Sequence, residues 1–141
     1  MTVADDGGSS GIIRNYVNVV PPGDIRNCMI ALSDLPDLQK EIFQYRFDSK
    51  DDFFSGHAIG NLIIAALAEM KGSIFDAIRL LSAMMNVKGR IYAAAEEPLT
   101  LYAKYQDGTS ARGESVIGRI RKPIDYVYVK PLDETREAHA A

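Results

Sequence analysis

The 141-residue sequence has a single cysteine, Cys28, so no intramolecular disulfide can staple it. It has two histidines, His57 and His139, and with His139 in a polar tail there is no pair from which to build a zinc site. Long runs of Lys and Arg are missing and the formal net charge is −3, which excludes the clustered cationic footprint of a nucleic-acid binder. The short cluster Arg119, Arg121 and Lys122 reads as a solvated strand edge. The longest apolar stretch, Ile59 to Met70, carries Asn61 and Glu69 inside it and is too short to span a bilayer. No basic segment followed by an apolar run opens the chain, so a cytoplasmic protein without nucleic-acid or membrane partners is expected. The GxGxxG fingerprint, the GxxxxGKS/T loop and the GxSxG elbow are absent, which removes ordinary dinucleotide, NTPase and hydrolase readings.

What is present is ordinary for a globular chain: 47% hydrophobic and 25% charged residues, enough for one domain (residues 1–141) with a substantial core. Residues 2 to 4 read as the end of a strand, and apolar character resumes from Ile12 up to the break at Pro21-Pro22-Gly23. Asp24 is placed to cap a helix from Ile25 to Leu32, with Ile25, Met29 and Leu32 on one face and Cys28 beside them as a small core residue. Pro36 opens a second helix to about Phe47, striped by Leu38, Ile42, Phe43 and Tyr45 to Phe47. Asp48, Lys50, Asp51 and Asp52 form a surface connection. Ser55 caps a helix from about His57 to Met70 that stops at Gly72. That helix is apolar nearly all round, which predicts a place inside a layered structure.

Ser73 with Asp76 makes a capping box for a further helix, in which Ile74, Ile78, Leu81 and Met85 recur at helical spacing and Met84-Met85 fill the core. From Gly89 the period changes to two, predicting strands at Gly89 to Ala94 and Leu99 to Tyr105, a turn at Asp107-Gly108, a return strand to about Glu114, and a strand at Ile124 to Val129. The order predicts an α/β chain, helices packed on a mixed sheet with a C-terminal β-hairpin region.

Three short segments carry the chemistry. In the first, Asp5-Asp6-Gly7-Gly8-Ser9-Ser10-Gly11, two carboxylates run into a Gly/Ser turn that presents N–H and O–H donors to an anion, with the Arg14 fork just beyond. On composition alone the same run is a tail, and Arg14 a surface cation. Adjacent carboxylates in extended backbone point to opposite faces, so Asp5 and Asp6 are expected to do different jobs. One holds a divalent cation such as Mg²⁺ or accepts a ligand hydroxyl, and the other caps the following turn. In the second segment, Pro21-Pro22-Gly23-Asp24-Ile25-Arg26-Asn27, a helix N-terminus offers its unpaired N–H groups to an anion, with Asp24 acting as a plain N-cap or as a ligand contact. In the third, Ser55-Gly56-His57-Ala58-Ile59-Gly60-Asn61, His57 and Asn61 stack one turn apart on an apolar helix, where polar groups must be satisfied by hydrogen bonds or by a ligand.

Taken in this order and spacing, TVADDGGSSG, PPGDIRN and SGHxxGN resemble the gluconeogenesis factor family, the YvcK-like relatives of 2-phospho-L-lactate transferase (CofD-like). The resemblance continues through Asn86-Val87-Lys88-Gly89-Arg90 and Arg112-Gly113-Glu114-Ser115, and so covers most of the chain. It implies a partial Rossmann-like, doubly wound core and a central fragment of a longer protein, since the GGGTG-type and GPGS-type segments of relatives lie outside it. It implies a non-enzymatic regulator that binds UDP-N-acetylglucosamine, or another nucleotide ligand, and supports cell shape and wall synthesis during gluconeogenic growth. The alternative it leaves open is a Mg-dependent transferase of deazaflavin coenzyme biosynthesis. The ligand and phosphate contacts it implies are Asp5, Asp6, Gly7, Gly8, Ser9, Ser10, Gly11, Arg14, Pro22, Gly23, Asp24, Arg26, Asn27, Ser55, Gly56, His57 and Asn61, with any metal on Asp5 or Asp6. Homo-oligomerisation is left open. Ile12-Ile13 stand where many relatives have Arg-Leu, and Ala93-Ala94-Ala95 where they have Pro-x-Thr/Ser, which removes a cation and a hydroxyl from the site.

Overall fold

The computed structural model describes residues 4–17, 19–48 and 55–132. Residues 2 and 3 of the expected N-terminal strand, most of the acidic connection after Asp48, and the tail with His139 lie outside the described residues.

The Gly/Ser run is not a loop. It forms the first turns of a helix, α1 (Gly8–Val17), opened by the Gly11 N–H donating to the Gly7 carbonyl at 3.0 Å. Gly and Ser cost a helix up to about 1 kcal/mol each relative to Ala, so propensity does not explain it. Packing does: Ser9 and Ser10 are buried with hydrogen-bond partners, and a side chain at Gly11 would run into the backbone carbonyl of Asp6. The glycine serves close approach of two backbones, not looseness.

Four further helices follow: α2 (Gly23–Leu32), α3 (Asp37–Gln44), α4 (Ile59–Lys71) and α5 (Ile74–Met84). Several details depart from the sequence pattern. In α2, Pro22 takes the N-cap position without a side-chain bond and Asp24 sits in the first turn, while Leu32 and Cys28 face solvent. α3 ends at Gln44, three residues short of the predicted end at Phe47; the chain leaves the helix at Tyr45 (φ −58°, ψ 135°), and Arg46 and Phe47 bridge to Ala58 and Ser55. Its expected apolar stripe is largely exposed at Leu38 and Ile42, with Phe43 alone half-buried against the core. Ala58, not Ser55, stands at the N-cap of α4, because Ser55 is engaged in the bridge to Phe47. That helix ends in a left-handed Gly72 (φ 67°) as predicted, but it is not enclosed: Leu62 and Met70 are exposed. The Ser73 hydroxyl accepts from the Asp76 N–H at 3.4 Å, so the serine half of the predicted capping box opens α5, while Asp76 Oδ1 accepts from Arg79.

The main core lies among these helices. Ile13 of α1, Ile25 and Met29 of α2, Ile64, Ala65 and Ala68 of α4, and Ile74, Ala77, Ile78 and Leu81 of α5 form one buried cluster closed by Met85. Of the paired methionines only Met85 fills it, while Met84 is exposed. The period-two signal after Gly89 has a physical basis, since Ile91 and Ala93 turn onto this core and Tyr92 and Ala94 turn out. No ladder forms there among the described residues, because no strand lies alongside.

The sheet comprises β1 (Leu99–Tyr105), β2 (Ser110–Arg112) and β3 (Ile124–Pro131) in the order β2-β1-β3, antiparallel throughout. Asp107 holds the hairpin turn by accepting from the Thr109 N–H and hydroxyl and from Lys122 Nζ. The return strand stops at Arg112, since Gly113 (φ 94°) turns the chain into the short helix α6 (Glu114–Ile117). Arg119, Arg121 and Lys122 are exposed as predicted but lie in the connection ahead of β3. The chain is thus mixed α/β, helices with a C-terminal hairpin sheet. Among the described residues no helix is long and apolar enough to cross a membrane.

The core arrangement makes a direct prediction. Leu81, 2% exposed, is expected to cost about 2–5 kcal/mol on Leu81→Ala, read as a loss of that size in urea unfolding free energy. Met84→Ala, at an exposed site one turn on, is expected to change it by less than about 0.5 kcal/mol.

Candidate functional site

The three sequence segments converge. The first turn of α1, the first turn of α2 and the segment around Arg46, Ser55 and Gly56 wall a cleft of about 580 Å³, within the range of small-molecule sites. Asp5, Gly7, Gly8, Ser9, Ser10, Gly23, Asp24, Arg26, Asn27, Ser55 and Gly56 line it. The other predicted residues do not line it and act beneath or behind it. Pro22, Gly11, Arg14, His57 and Asn61 are buried, and Asp6 turns towards α6.

Beneath the cleft runs a chain of buried polar groups. Asn61 is 1% exposed; its Nδ2 donates to Ser9 Oγ at 3.2 Å and its Oδ1 accepts from Arg26 Nη1 at 3.2 Å. Ser9 Oγ also lies 3.0 Å from Nδ1 of buried His57. Arg26 Nη2 donates to Asn27 Oδ1 at 2.8 Å. Ser10 Oγ accepts from the Gly23 N–H at 3.1 Å, joining the starts of α1 and α2, and any side chain on Gly23 would collide with that hydroxyl. The histidine therefore positions Ser9; it lies ahead of α4 instead of one turn below Asn61 on the same helix as expected, because the helix starts only at Ile59, and the two side chains find their partners within the protein.

The cleft carries two carboxylates, Asp5 and Asp24, and two guanidinium groups, Arg26 and Arg46. Arg26 is 7% exposed, and among the described residues its guanidinium is bonded only to amide oxygens and its buried Nε has no partner. Burial, and then the Arg46 charge, lower its pKa, while a guanidinium stays protonated at any physiological pH. Arg46 is exposed beside it and donates to the Gly56 carbonyl. Neither arginine takes part in a salt bridge among the described residues. Two guanidinium groups that no carboxylate bonds among the described residues, beside two helix N-termini, favour an anion.

Asp5 and Asp6 divide their work. Asp5 Oδ1 accepts from the Gly7 N–H at 2.9 Å and the residue lines the cleft. Asp6 Oδ1 accepts from the Ser115 N–H at 2.8 Å, at the start of α6, and a side chain on Gly113 would lie 2.6 Å from its Oδ2. Of the two candidates for a metal ligand, Asp5 alone faces the cleft, and among the described residues no group of three or more His, Cys, Asp or Glu side chains could hold a metal ion. Arg14 is a buried tie: its Nη1 donates to the carbonyls of Asp5 and Leu99, both at 3.1 Å, and burial lowers its pKa against the raising effect of Asp6 and Asp5. Arg46 and Ile12 line the cleft unforeseen. Arg46 was masked by the helical pattern around it, and the departure of Tyr45 from helical backbone turns it into the site.

A family model described as 2-phospho-L-lactate transferase CofD matches residues 1–141. The gluconeogenesis factor of Listeria monocytogenes serovar 1/2a is 47% identical over 131 residues, 93% of this chain and 40% of that protein. A Streptococcus pneumoniae serotype 4 protein given the same name provisionally is 52% identical over 130 residues, 92% of this chain and 40% of its own. The chain thus spans about two-fifths of the length of these relatives. A crystal structure of protein BH3568 from Bacillus halodurans superposes with a TM-score of 0.87 at 39% identity, over 96% of this chain and 45% of that one. A second crystal structure of that protein, described as a member of the UPF0052 family, gives 0.85 at the same identity and coverage.

Two outcomes test the site's construction. Asn61→Ala leaves the Ser9 hydroxyl and the Arg26 guanidinium each short of a buried partner, and is expected to cost about 1–3 kcal/mol in chemical denaturation. Glu114 at the start of α6 is pushed up by partial burial and by the carboxylates of Asp5, Asp6 and Asp24. A raised carboxyl favours the folded state in its protonated form, so its stabilising effect is present below its unfolded pKa and lost as pH rises through the raised value. Glu114→Gln is therefore expected to raise the melting temperature at pH 7, with the gain vanishing in scans at lower pH once Glu114 is protonated in both states.

Proposed function

The chain belongs to the CofD family, and we propose that its cleft binds the phosphates of a sugar nucleotide of the UDP-N-acetylglucosamine type. In this reading the protein is a non-enzymatic regulator of the gluconeogenesis-factor kind, acting in the cytoplasm on cell shape and wall synthesis during gluconeogenic growth. The observation that carries it is Arg26, a buried cation that, among the described residues, has an unpartnered Nε and no carboxylate bonded to it, next to Arg46 at the junction of two helix starts. Such a charge is costly unless an anion approaches it, and a diphosphate supplies oxygens for both guanidinium groups. Ser9, Ser10 and the glycine N–H groups of the α1 start add neutral donors. The names of the relatives support the regulatory reading.

The family description favours a second reading, phosphoryl-group transfer with a divalent cation at the reacting phosphate. Here Asp5 would hold the cation. With Asp6 engaged at α6 and Asp5 sharing an oxygen with the Gly7 N–H, the donor set is sparse for that task, although Mg²⁺ commonly takes one or two carboxylates and completes its shell with phosphate and water.

Calorimetry distinguishes the two. Titration with UDP-N-acetylglucosamine is expected to give saturable heat without added metal, and Arg46→Ala is expected to weaken it about ten- to a hundredfold. Absence of any UDP-sugar binding, together with binding of a deazaflavin alcohol only when Mg²⁺ is added, would establish the transferase reading instead.

A further inference from the structure

A second cavity of about 580 Å³ opens from the same place and shares Asp5, Asp24 and Asn27 with the anion cleft. Its character is different. Away from the shared residues its walls are apolar, with Pro21, Ile25 and Cys28 on one side and Ile91, Tyr92 and Ala93 on the other. The two cavities adjoin at these shared residues, the first bearing the two arginines and the second apolar, with carboxylates and a carboxamide at the border.

The apolar arm owes its shape to the segment after Gly89. Ile91 and Ala93 pack onto the helical core, and the same alternation drives Tyr92 outward until it is 70% exposed. A tyrosine ring on a wall fixed by its neighbours is a ready platform for a planar group, since stacking exploits the face of the ring and needs no hydrogen-bond partner. Opposite it, Cys28 is exposed, where its helical neighbour Met29 is fully buried.

We infer that this arm is the nucleobase subsite: the base of the ligand stacks on Tyr92 beside Cys28, its ribose hydroxyls meet Asp24 and Asn27 at the border, and its phosphates reach Arg26 and Arg46. The assignment rests on the sugar-nucleotide reading above and adds to it the orientation of the ligand. Reversed placement would put a charged diphosphate against Ile25, Ile91 and Ala93 and leave the two arginines facing an uncharged ring, which costs desolvation at both ends.

Cys28 supplies the test, because it is the one cysteine of the chain and a maleimide reports on a single position. On the full chain, UDP-N-acetylglucosamine at ten times its dissociation constant is expected to slow Cys28 labelling about tenfold, in proportion to the unoccupied fraction, whereas saturating inorganic pyrophosphate leaves the rate unchanged. Calorimetry on the same samples separates the possible failures. Sugar-nucleotide heat with unaltered Cys28 labelling overturns the subsite and leaves the proposed function standing, while absence of sugar-nucleotide heat overturns both. Tyr92→Ala is expected to weaken the sugar nucleotide about tenfold and pyrophosphate not at all, and Tyr92→Phe to retain affinity for both. Equal weakening of both ligands, or of neither, by Tyr92→Ala overturns the stacking role. Thermal melting of each variant accompanies the titrations, and at a site this exposed an unchanged midpoint is expected.

Discussion

The side chain of Asn61 is the contact on which the arrangement depends. Buried at the first turn of α4, it donates to Ser9 on α1 and accepts from Arg26 on α2, so one carboxamide holds three helices in register. Each of these groups would be costly to bury without a partner, and the set is satisfied only when all three helix starts are in place. That requirement explains why a serine and glycine run becomes helical against its own propensity. It also explains why His57 lies under Ser9 instead of in the cleft: it completes the partners of a hydroxyl whose own position shapes the cleft.

A second tie carries this frame to the sheet. Arg14 reaches from α1 to the carbonyls of Asp5 and Leu99, and Asp6 reaches across to the Ser115 N–H at α6. Gly113 can hold its left-handed backbone there and leave space for the Asp6 carboxylate. The adjacent carboxylates thus face different ways for a structural reason, one along the cleft and one towards the hairpin region. The acidic neighbourhood they create is felt at Glu114, whose carboxyl is pushed up by it.

Several features were legible in the residues alone. The serine cap at Ser73, the glycine stop at Gly72, the spacing of Ile74, Ile78, Leu81 and Met85, and the Asp107-Gly108 hairpin all follow from local rules that the structure obeys. The convergence of three short segments on one cleft was readable from their shared chemistry and from the family resemblance. Less legible were properties that depend on which neighbour is present. Cys28 reads as a core residue because it sits beside Ile25 and Met29 in sequence, yet α2 has no element covering that side among the described residues. Residues 89 to 94 read as a strand because they alternate, but alternation reports two different faces and says nothing about a hydrogen-bonding partner. Arg46 reads as part of a helix because nothing in the local pattern marks the turn at Tyr45.

The sequence by itself determined the helices with clear caps and spacing, the Asp107-Gly108 hairpin, the family membership and the presence of donors, carboxylates and cations in three clusters, because these depend on interactions within a few residues or on the order of motifs. Only the tertiary structure decided which of those groups face the cleft. Position and bonding partners, not burial, divide chemically identical candidates into those that line the cleft, such as Arg26 and Asp5, and those spent on holding it, such as Arg14 and Asp6. Such a division is set by distances between segments far apart in the chain, and no local spacing encodes it.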